Sequence, residues 1–208
     1  MSRQRTTISF LFFFSLASGA LAGGIPEPGP SYATSAAGKI EFAPDRSGPT
    51  LAERGLTVTV VVLDSFGFPI PGYPFQDIFL FDTVGGAELS LCRAGSYASG
   101  NTDGTGTTTI DSAVAGGGWT ANGLQVYLAG LPLDPIVSPP LDITVASADL
   151  NADLAVDLAD LVTVPGGFAN LFLNGSYDFQ VDFNGDDVEN ILDVVRFAEL
   201  FLSQATCP

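Results

Sequence analysis

The chain has 208 residues, 46% of them hydrophobic and 14% charged, which favours folded structure over wholesale disorder. Seven Lys and Arg against 23 Asp and Glu give a net charge of −16, so the chain repels nucleic acid and anionic membranes and attracts multivalent cations. The sequence contains no histidine, which excludes His-based catalytic triads and zinc sites with His ligands.

Residues 1–22 have the pattern of a secretory signal peptide. Arg3 and Arg5 precede an apolar run over residues 8–16, and Ala20-Leu21-Ala22 fits the small-x-small pattern of a signal-peptidase site. The run is too short to span a membrane comfortably, and the later sequence holds no apolar segment of spanning length. We therefore expect cleavage after residue 22, no membrane insertion after cleavage, and a secreted or cell-surface location.

The two cysteines, Cys92 and Cys207, lie in the exported part of the chain. An even count in an oxidising compartment predicts one disulfide, which would tie the middle of the chain to its last residues. The alternative is two buried or free thiols, because sequence alone does not show that the sulfurs meet.

The region 38–146 has the character of a β-sheet protein, after a Gly/Pro-rich segment, 23–37, that we expect to be an extended leader. Short β-branched or alternating stretches predict strands, and Gly and Pro clusters between them predict turns. The strands are expected near 39–42, 56–63, 77–82, 107–110, 124–128 and 141–145, and one of the turns at 116–118. Such spacing predicts an antiparallel β-sandwich, so the fold class is mainly β.

The layout of 38–146 resembles a bacterial immunoglobulin-like module. The resemblance is carried by V-x-D-S-x-G-x-P-I-P-G at 62–72 and by N-T-D-G-T-G-T-T-T at 101–109. We expect Asp103 in the second stretch to form a turn and not to bind a cation. Trp119 is expected to pack in the core of the sandwich.

The C-terminal part, residues 147–208, changes to an acidic and helical composition. From residue 149 onward it holds eleven Asp and Glu but only one base, Arg196. Two stretches, 149–160 and 182–193, place Asp, Asn, Asp, Asp or Asn, and Asp at positions 1, 3, 5, 9 and 12, at an interval of 33 residues. An acidic helix face does not explain this pattern, because positions 1, 3, 5 and 9 do not share one face. The pattern predicts a duplicated calcium loop.

The spacing suits calcium for a physical reason. Ca²⁺ takes six to eight oxygen ligands, and a tight 12-residue loop turns the side chains of positions 1, 3 and 5 inward and adds the backbone carbonyl of position 7. Position 7 is Ala155 in the first loop and Val188 in the second. Position 12 is Asp160 or Asp193, and each lies inside an apolar-periodic segment, so we expect it in the first turn of a helix.

The loop-then-helix form, duplicated, resembles the dockerin type I repeat, D-x-N-x-D-G-x-V-N-x-x-D followed by an apolar helix. The resemblance implies calcium binding, docking onto a cohesin-like or other surface protein, and two ligand sets. The first set is Asp149, Asn151, Asp153, Ala155 through its carbonyl, Asp157 and Asp160, and the second is Asp182, Asn184, Asp186, Val188 through its carbonyl, Asn190 and Asp193. The predicted cofactor is therefore Ca²⁺ at two sites.

The first loop departs from the repeat at its tight-turn positions. It lacks Gly at both, with Ala152 and Leu154 at positions 4 and 6, and Leu154 lies where a positive φ is usual. The second loop has Gly185 and Asp187 at these positions. We therefore expect the second loop to have the less strained backbone. The helices also lack the short recognition signature of dockerins.

The sequence favours a non-enzymatic, exported calcium-binding protein with a structural or adhesive assembly role at the cell surface. A spacer with no partner of its own is one alternative. Another is a carbohydrate-binding module or a small accessory domain of polysaccharide degradation. An enzyme is disfavoured because glycosidases need two carboxylates facing each other in a cleft, and nothing in the sequence pairs Asp64, Asp77, Asp82 or Glu88.

Overall fold

The protein is described here by a computed structural model over residues 24–82, 88–121, 124–162, 167–205 and 207. The predicted signal peptide, residues 1–22, lies outside the described residues. The fold is mainly β, as predicted. Its strands are β1 Tyr32–Thr34, β2 Gly38–Glu41, β3 Val58–Val61, β4 Ile78–Asp82, β5 Glu88–Leu91, β6 Thr107–Ile110, β7 Gly116–Trp119, β8 Leu124–Leu128, β9 Leu131–Pro132 and β10 Ile143–Ala146. Its helices are α1 Leu158–Val162, α2 Phe168–Phe172 and α3 Ile191–Leu200.

Most strand pairs are antiparallel. Of the four sheets that the described residues form, three are antiparallel: β1-β3-β6, β4-β8-β9 and β5-β7. In β3 the side chains alternate, and Val58 and Val60 are fully buried while Thr59 and Val61 are only partly so. This alternation fixes the register, because a slip of one residue would turn the apolar face to solvent.

One pair departs from the expected antiparallel pattern, since β10 lies parallel to β2, with Ile143 opposite Gly38. A parallel pair needs a long connection, and here strands β3 to β9 supply it. Val145 of β10 also forms two hydrogen bonds with Thr120, the residue that follows β7.

The segment 23–37, expected to be an extended leader, contains strand β1. Ser31 explains why a segment with few apolar residues is ordered. Its hydroxyl accepts a hydrogen bond from the Leu63 amide at 3.0 Å and donates one to the Glu27 carbonyl at 2.7 Å. These bonds, together with the antiparallel pairing of β1 with β3, hold this segment against the sheet.

Two apolar clusters form the core. The larger is enclosed by the sheets and includes Ile40, Val58, Leu80, Ile110 and Val145. The smaller joins alanines of the β region to the apolar side chains of the C-terminal part, with members Ala43, Ala146, Ala148, Leu150, Val156, Phe168, Val181, Phe183, Phe197 and Leu200. Its aromatic centre is a stack in which the rings of Phe168 and Phe197 lie 4.6 Å apart. The C-terminal part is therefore packed on the sheets.

The predicted disulfide between Cys92 and Cys207 is confirmed, with 5.3 Å between the Cα atoms. Cys92 is buried and Cys207 is exposed. Within the described ranges, none of the helices is both long and apolar enough to cross a membrane.

Candidate metal centre

The two predicted calcium loops have the same backbone conformation. Positions 4 and 6 adopt positive φ in both, at 61° for Ala152 and 69° for Leu154 in the first loop, and 70° for Gly185 and 66° for Asp187 in the second. Left-handed φ is costly for a residue with a branched side chain such as Leu and costs least for Gly. The first loop therefore carries more backbone strain, as its sequence predicts.

The aspartate at position 1 holds each loop together from inside. In the first loop, Asp149 accepts hydrogen bonds from the amides of Asp153 and Leu154 at 3.2 and 2.7 Å. In the second, Asp182 accepts the equivalent bonds from Asp186 and Asp187 at 3.1 and 3.0 Å. The exposed fraction is 0% for Asp149 and 3% for Asp182.

Positions 3 and 5 repeat the same pattern. The Asn151 side chain accepts from the Asp153 amide at 2.9 Å and donates to the Asp153 carboxylate at 3.1 Å. Asn184 and Asp186 form the same two bonds at 2.9 and 3.0 Å. Each aspartate at position 5 then accepts from the amide of position 7, at 3.0 Å in the first loop and 2.9 Å in the second.

The aspartate at position 12 closes each loop from the first turn of a helix, as expected. Asp160, in α1, accepts from the amides of Asn151 and Asp157 at 3.1 and 2.8 Å. Asp193, in α3, accepts from the amides of Asn184 and Asn190 at 3.4 and 2.9 Å. Both carboxylates are fully buried.

Position 9 starts the helix that follows each loop. The Asn190 side chain accepts from the Leu192 amide at 2.8 Å and forms a capping box with Asp193. Asp157 accepts from the Ala159 amide at 2.6 Å in the first loop. Helix capping therefore explains in part why position 9 is Asp in one loop and Asn in the other.

The donor chemistry of the loops fits a hard cation. Each set offers carboxylate and amide oxygens together with backbone carbonyls, which are the ligands that Ca²⁺ prefers. A carboxylate has about four lone-pair positions, so the backbone hydrogen bonds leave acceptor capacity on these oxygens. In the described ranges, no group of three or more Asp, Glu, Cys or His side chains is arranged to hold a metal ion. A site in these loops therefore depends on asparagine and carbonyl oxygens as well as carboxylates.

Strand β7 lies directly against the first loop. The Gly118 amide donates to the Asp149 carbonyl at 2.5 Å. A Cβ added at Gly117 would lie 1.7 Å from the nearer carboxylate oxygen of Asp149. Gly117, predicted from sequence to lie in a turn, therefore makes room for the position-1 aspartate. This contact could not be predicted from the sequence, because it joins segments far apart in the chain.

The C-terminal tail covers the other side of the first loop. The amides of Leu202 and Ala205 donate to the carbonyls of Val156 and Leu154 at 2.8 and 2.9 Å, and the Val156 amide donates to the Ser203 carbonyl at 2.9 Å. The disulfide of Cys207 follows this tail at once. The first loop is thereby linked to the sheet region both by contact and by covalent bond.

Basic residues of the β region contact the second loop. The Lys39 ammonium, from β2, donates to Asp187, to Asp182 at 3.4 Å and to the Tyr177 hydroxyl at 2.5 Å. Tyr177 in turn donates to the Asp182 carboxylate at 2.7 Å. The Arg54 guanidinium donates to the carbonyl of Asn184 at 2.9 Å. Sequence reasoning missed both basic residues.

The electrostatics of the two loops differ. Burial raises the pKa of the Asp149 carboxyl to about 7, and the neighbouring Asp160 charge adds to this shift. Burial also raises the pKa of Asp160. In the second loop, the hydrogen bond with Lys39 lowers the pKa of Asp187. Among the ion pairs of the described residues, a basic side chain offsets negative charge in the second loop but not in the first.

The contacts of Asp103 and Trp119 show the structural role of each residue. Asp103 accepts hydrogen bonds from the amides of Thr105 and Thr107 at 2.8 and 3.0 Å, which is turn formation as expected. Trp119 is only partly buried, and its ring meets that of Phe179 edge-on at 5.7 Å. It packs on the C-terminal part and does not belong to the core enclosed by the sheets.

A scan against protein-family models finds no match for the chain, and a comparison with curated proteins finds no relative.

Proposed function

We propose that the protein is an exported, non-enzymatic calcium-binding protein in which Ca²⁺ at two sites stabilises the C-terminal part. The observation that carries the proposal is the repetition of one hydrogen-bond pattern and one backbone conformation in two loops 33 residues apart. Buried aspartates at positions 1 and 12 of each loop need a compensating charge, and a divalent cation supplies it.

Calcium binding would add to the free energy that favours the folded state. Carboxylates that repel one another in the empty loops are brought to one ion, so binding favours the folded state. Extracellular calcium is abundant enough to fill even weak, millimolar-class sites. The proposed role of calcium is therefore to stabilise an extracellular protein permanently.

The test is a calcium titration by calorimetry with the full exported chain, together with thermal unfolding in calcium and in chelator. We expect two calcium ions per chain and a higher unfolding midpoint with calcium. Asp160→Asn and Asp193→Asn should each remove one ion from the stoichiometry. Asp103→Asn, which removes a turn-forming carboxylate outside the loops, should leave the stoichiometry at two. Identical melts with and without calcium would refute the proposal.

For the architecture we propose an immunoglobulin-like sandwich over 38–146 joined to a dockerin-like module over 147–208. What supports the first part is a single buried cluster between antiparallel sheets. What supports the second is the loop-then-helix order, with α1 and α3 each beginning inside a loop.

We propose a protein partner for the C-terminal part, in line with its dockerin-like form. Equivalent apolar positions of the two repeats are exposed: Leu158 by 61% and Ile191 by 67% at position 10, and Val162 by 55% and Val195 by 48% four residues later. Exposed apolar side chains on helices favour docking of a partner over a solvated surface.

A pull-down from cell-surface extracts tests this role. The full chain should retain a partner in calcium and release it in chelator, and Leu158→Asp with Ile191→Asp should abolish retention. A chain that retains nothing in calcium would favour the spacer role over assembly.

A carbohydrate-binding role is the second candidate, favoured by an open groove of about 550 Å³ in the β region. Its lining includes the aromatic rings of Phe75 and Tyr97 and the charged side chains of Arg46 and Asp111. Aromatic faces with a few polar groups suit a sugar ring. Binding on a glycan array that is lost in Tyr97→Ala would establish this role, and no binding to any glycan would exclude it.

A further inference from the structure

We propose that Lys39 is a built-in counter-cation of the second calcium loop. Its ammonium holds the loop in shape without metal and lowers the affinity of the loop for calcium. This inference rests on the proposed calcium function. Lys39 lies in strand β2, outside both twelve-residue loops. Its proposed role is to position the second loop and to set the calcium affinity of that loop.

Three contacts place the ammonium at the second loop. Lys39 donates to Asp187, at position 6, and to the position-1 carboxylate of Asp182 at 3.4 Å. The Tyr177 hydroxyl lies between the two groups, accepting from Lys39 and donating to Asp182. The Lys39 side chain is 29% exposed and that of Asp182 is 0% exposed, so part of this charge pair is shielded from water.

The first loop makes an informative comparison, because it has the same hydrogen-bond pattern without a cation. Its position-1 carboxylate, Asp149, lies against the glycines of β7, and position 6 is the apolar Leu154. No Lys or Arg forms an ion pair with its carboxylates among the described residues. One loop therefore has its negative charge partly neutralised before metal binds, and the other does not.

Opposite effects on the empty and the calcium-bound forms follow from this difference. Without metal, the ammonium offsets repulsion between the carboxylates of the second loop and stabilises it. With metal bound, the same ammonium, which contacts the position-1 carboxylate of Asp182, would repel Ca²⁺ and weaken its binding. A purely structural anchor would instead strengthen both.

The experiment uses the full exported chain and follows each loop separately by NMR during a calcium titration. The amides of Leu154 and Asp187, both at position 6, report the first and second loops. In Lys39→Met we expect calcium to bind the second loop about 3- to 10-fold more tightly, with the first loop unchanged. In chelator the same variant should unfold at a lower temperature than the unaltered chain.

Two controls separate charge from packing. Lys39→Arg keeps the charge and should keep the calcium affinity of the second loop within about 2-fold. Arg46→Met removes the same charge from a residue without a described contact to this loop, and should leave both affinities unchanged.

A charge-balanced pair keeps the test valid even if Lys39→Met fails to fold in chelator. Asp187→Asn should weaken calcium binding at the second loop, and Lys39→Met combined with Asp187→Asn should return it close to the original value. Equal or weaker binding in Lys39→Met, or a double variant as weak as Asp187→Asn alone, would overturn the proposal. If the unaltered chain binds no calcium, the proposed function fails, while the stability of Lys39→Met in chelator still tests the counter-cation role.

Discussion

Gly117 is the residue on which the placement of the first loop depends most directly. A Cβ at this position would meet the carboxylate of Asp149 at 1.7 Å, and Asp149 is fully buried. We predict that Gly117→Ala displaces Asp149, destabilises the protein by about 1–3 kcal/mol and removes calcium from the first loop. Chemical unfolding and calcium calorimetry measure the two effects.

Gly100→Ala is the matched control, because a Cβ there would have no neighbour within 4 Å. It should change neither stability nor calcium stoichiometry. Two bound calcium ions and an unchanged unfolding free energy in Gly117→Ala would show that β7 does not constrain the loop.

Residues within the loops were predictable from sequence, and residues outside them were not. The spacing of carboxylates and the strained position of Leu154 depend on local chain geometry, which a twelve-residue pattern contains. Lys39 and Gly117 reach the loops only through the packing of distant strands, and Lys39 is 143 residues from Asp182. Tertiary contacts of this kind leave no periodic signal in a single sequence.

At the scale of elements, an ion pair joins strand β2 to helix α3. The Arg196 guanidinium donates to both carboxylate oxygens of Glu41 at 2.8 Å and to the Ser47 carbonyl at 3.1 Å. Glu41 is 5% exposed. Burial raises its pKa from an ordinary value of 4.5 to about 7, although Arg196 opposes the shift.

A pH dependence follows from the direction of this shift. The folded state binds the proton of Glu41 more tightly than the unfolded state does, so the unfolding free energy falls as pH rises from about 4.5 to about 7. Glu41→Gln does not titrate, and we predict that it removes a part of this fall on the order of 1–3 kcal/mol. Denaturant unfolding at pH 5 and 7.5 in saturating calcium measures it. The same fall in both proteins would contradict the assignment to Glu41.

The strands show which elements a pattern can identify. Strands β6 and β8 have the predicted bounds, because their β-branched and apolar residues alternate or run without interruption. Strand β7 begins with three glycines and reads as a turn, yet it pairs with β5 over four residues. Close approach explains two of these glycines: an added Cβ at Gly117 would meet Asp149 of the first loop, and one at Gly116 would meet Leu91 of β5.

At the scale of the whole molecule, the sheets and the C-terminal part form one packed structure. An apolar cluster crosses the junction from Ala43 and Ala146 to Phe183 and Phe197. Polar links from β2 and the disulfide add to it. A shared core and a covalent link lead us to expect that the two parts unfold together, and that calcium binding stabilises the sheets as well as the loops.

The disulfide gives this coupling a direct test. It closes a loop across 115 positions of sequence, and such cross-links typically stabilise folded proteins by about 2–5 kcal/mol through the entropy of the unfolded chain.

Cys207 is exposed to reductant, and its tail pairs with Val156 of the first loop. We predict that reduction lowers the unfolding midpoint and accelerates hydrogen exchange at Val156 and Leu202 more than at Val188. The same reductant should have no effect on Cys92→Ala with Cys207→Ala. If reduction changed global stability but left exchange at Val156 untouched, the tail would be held by its own hydrogen bonds, and the covalent link would act on the unfolded chain alone.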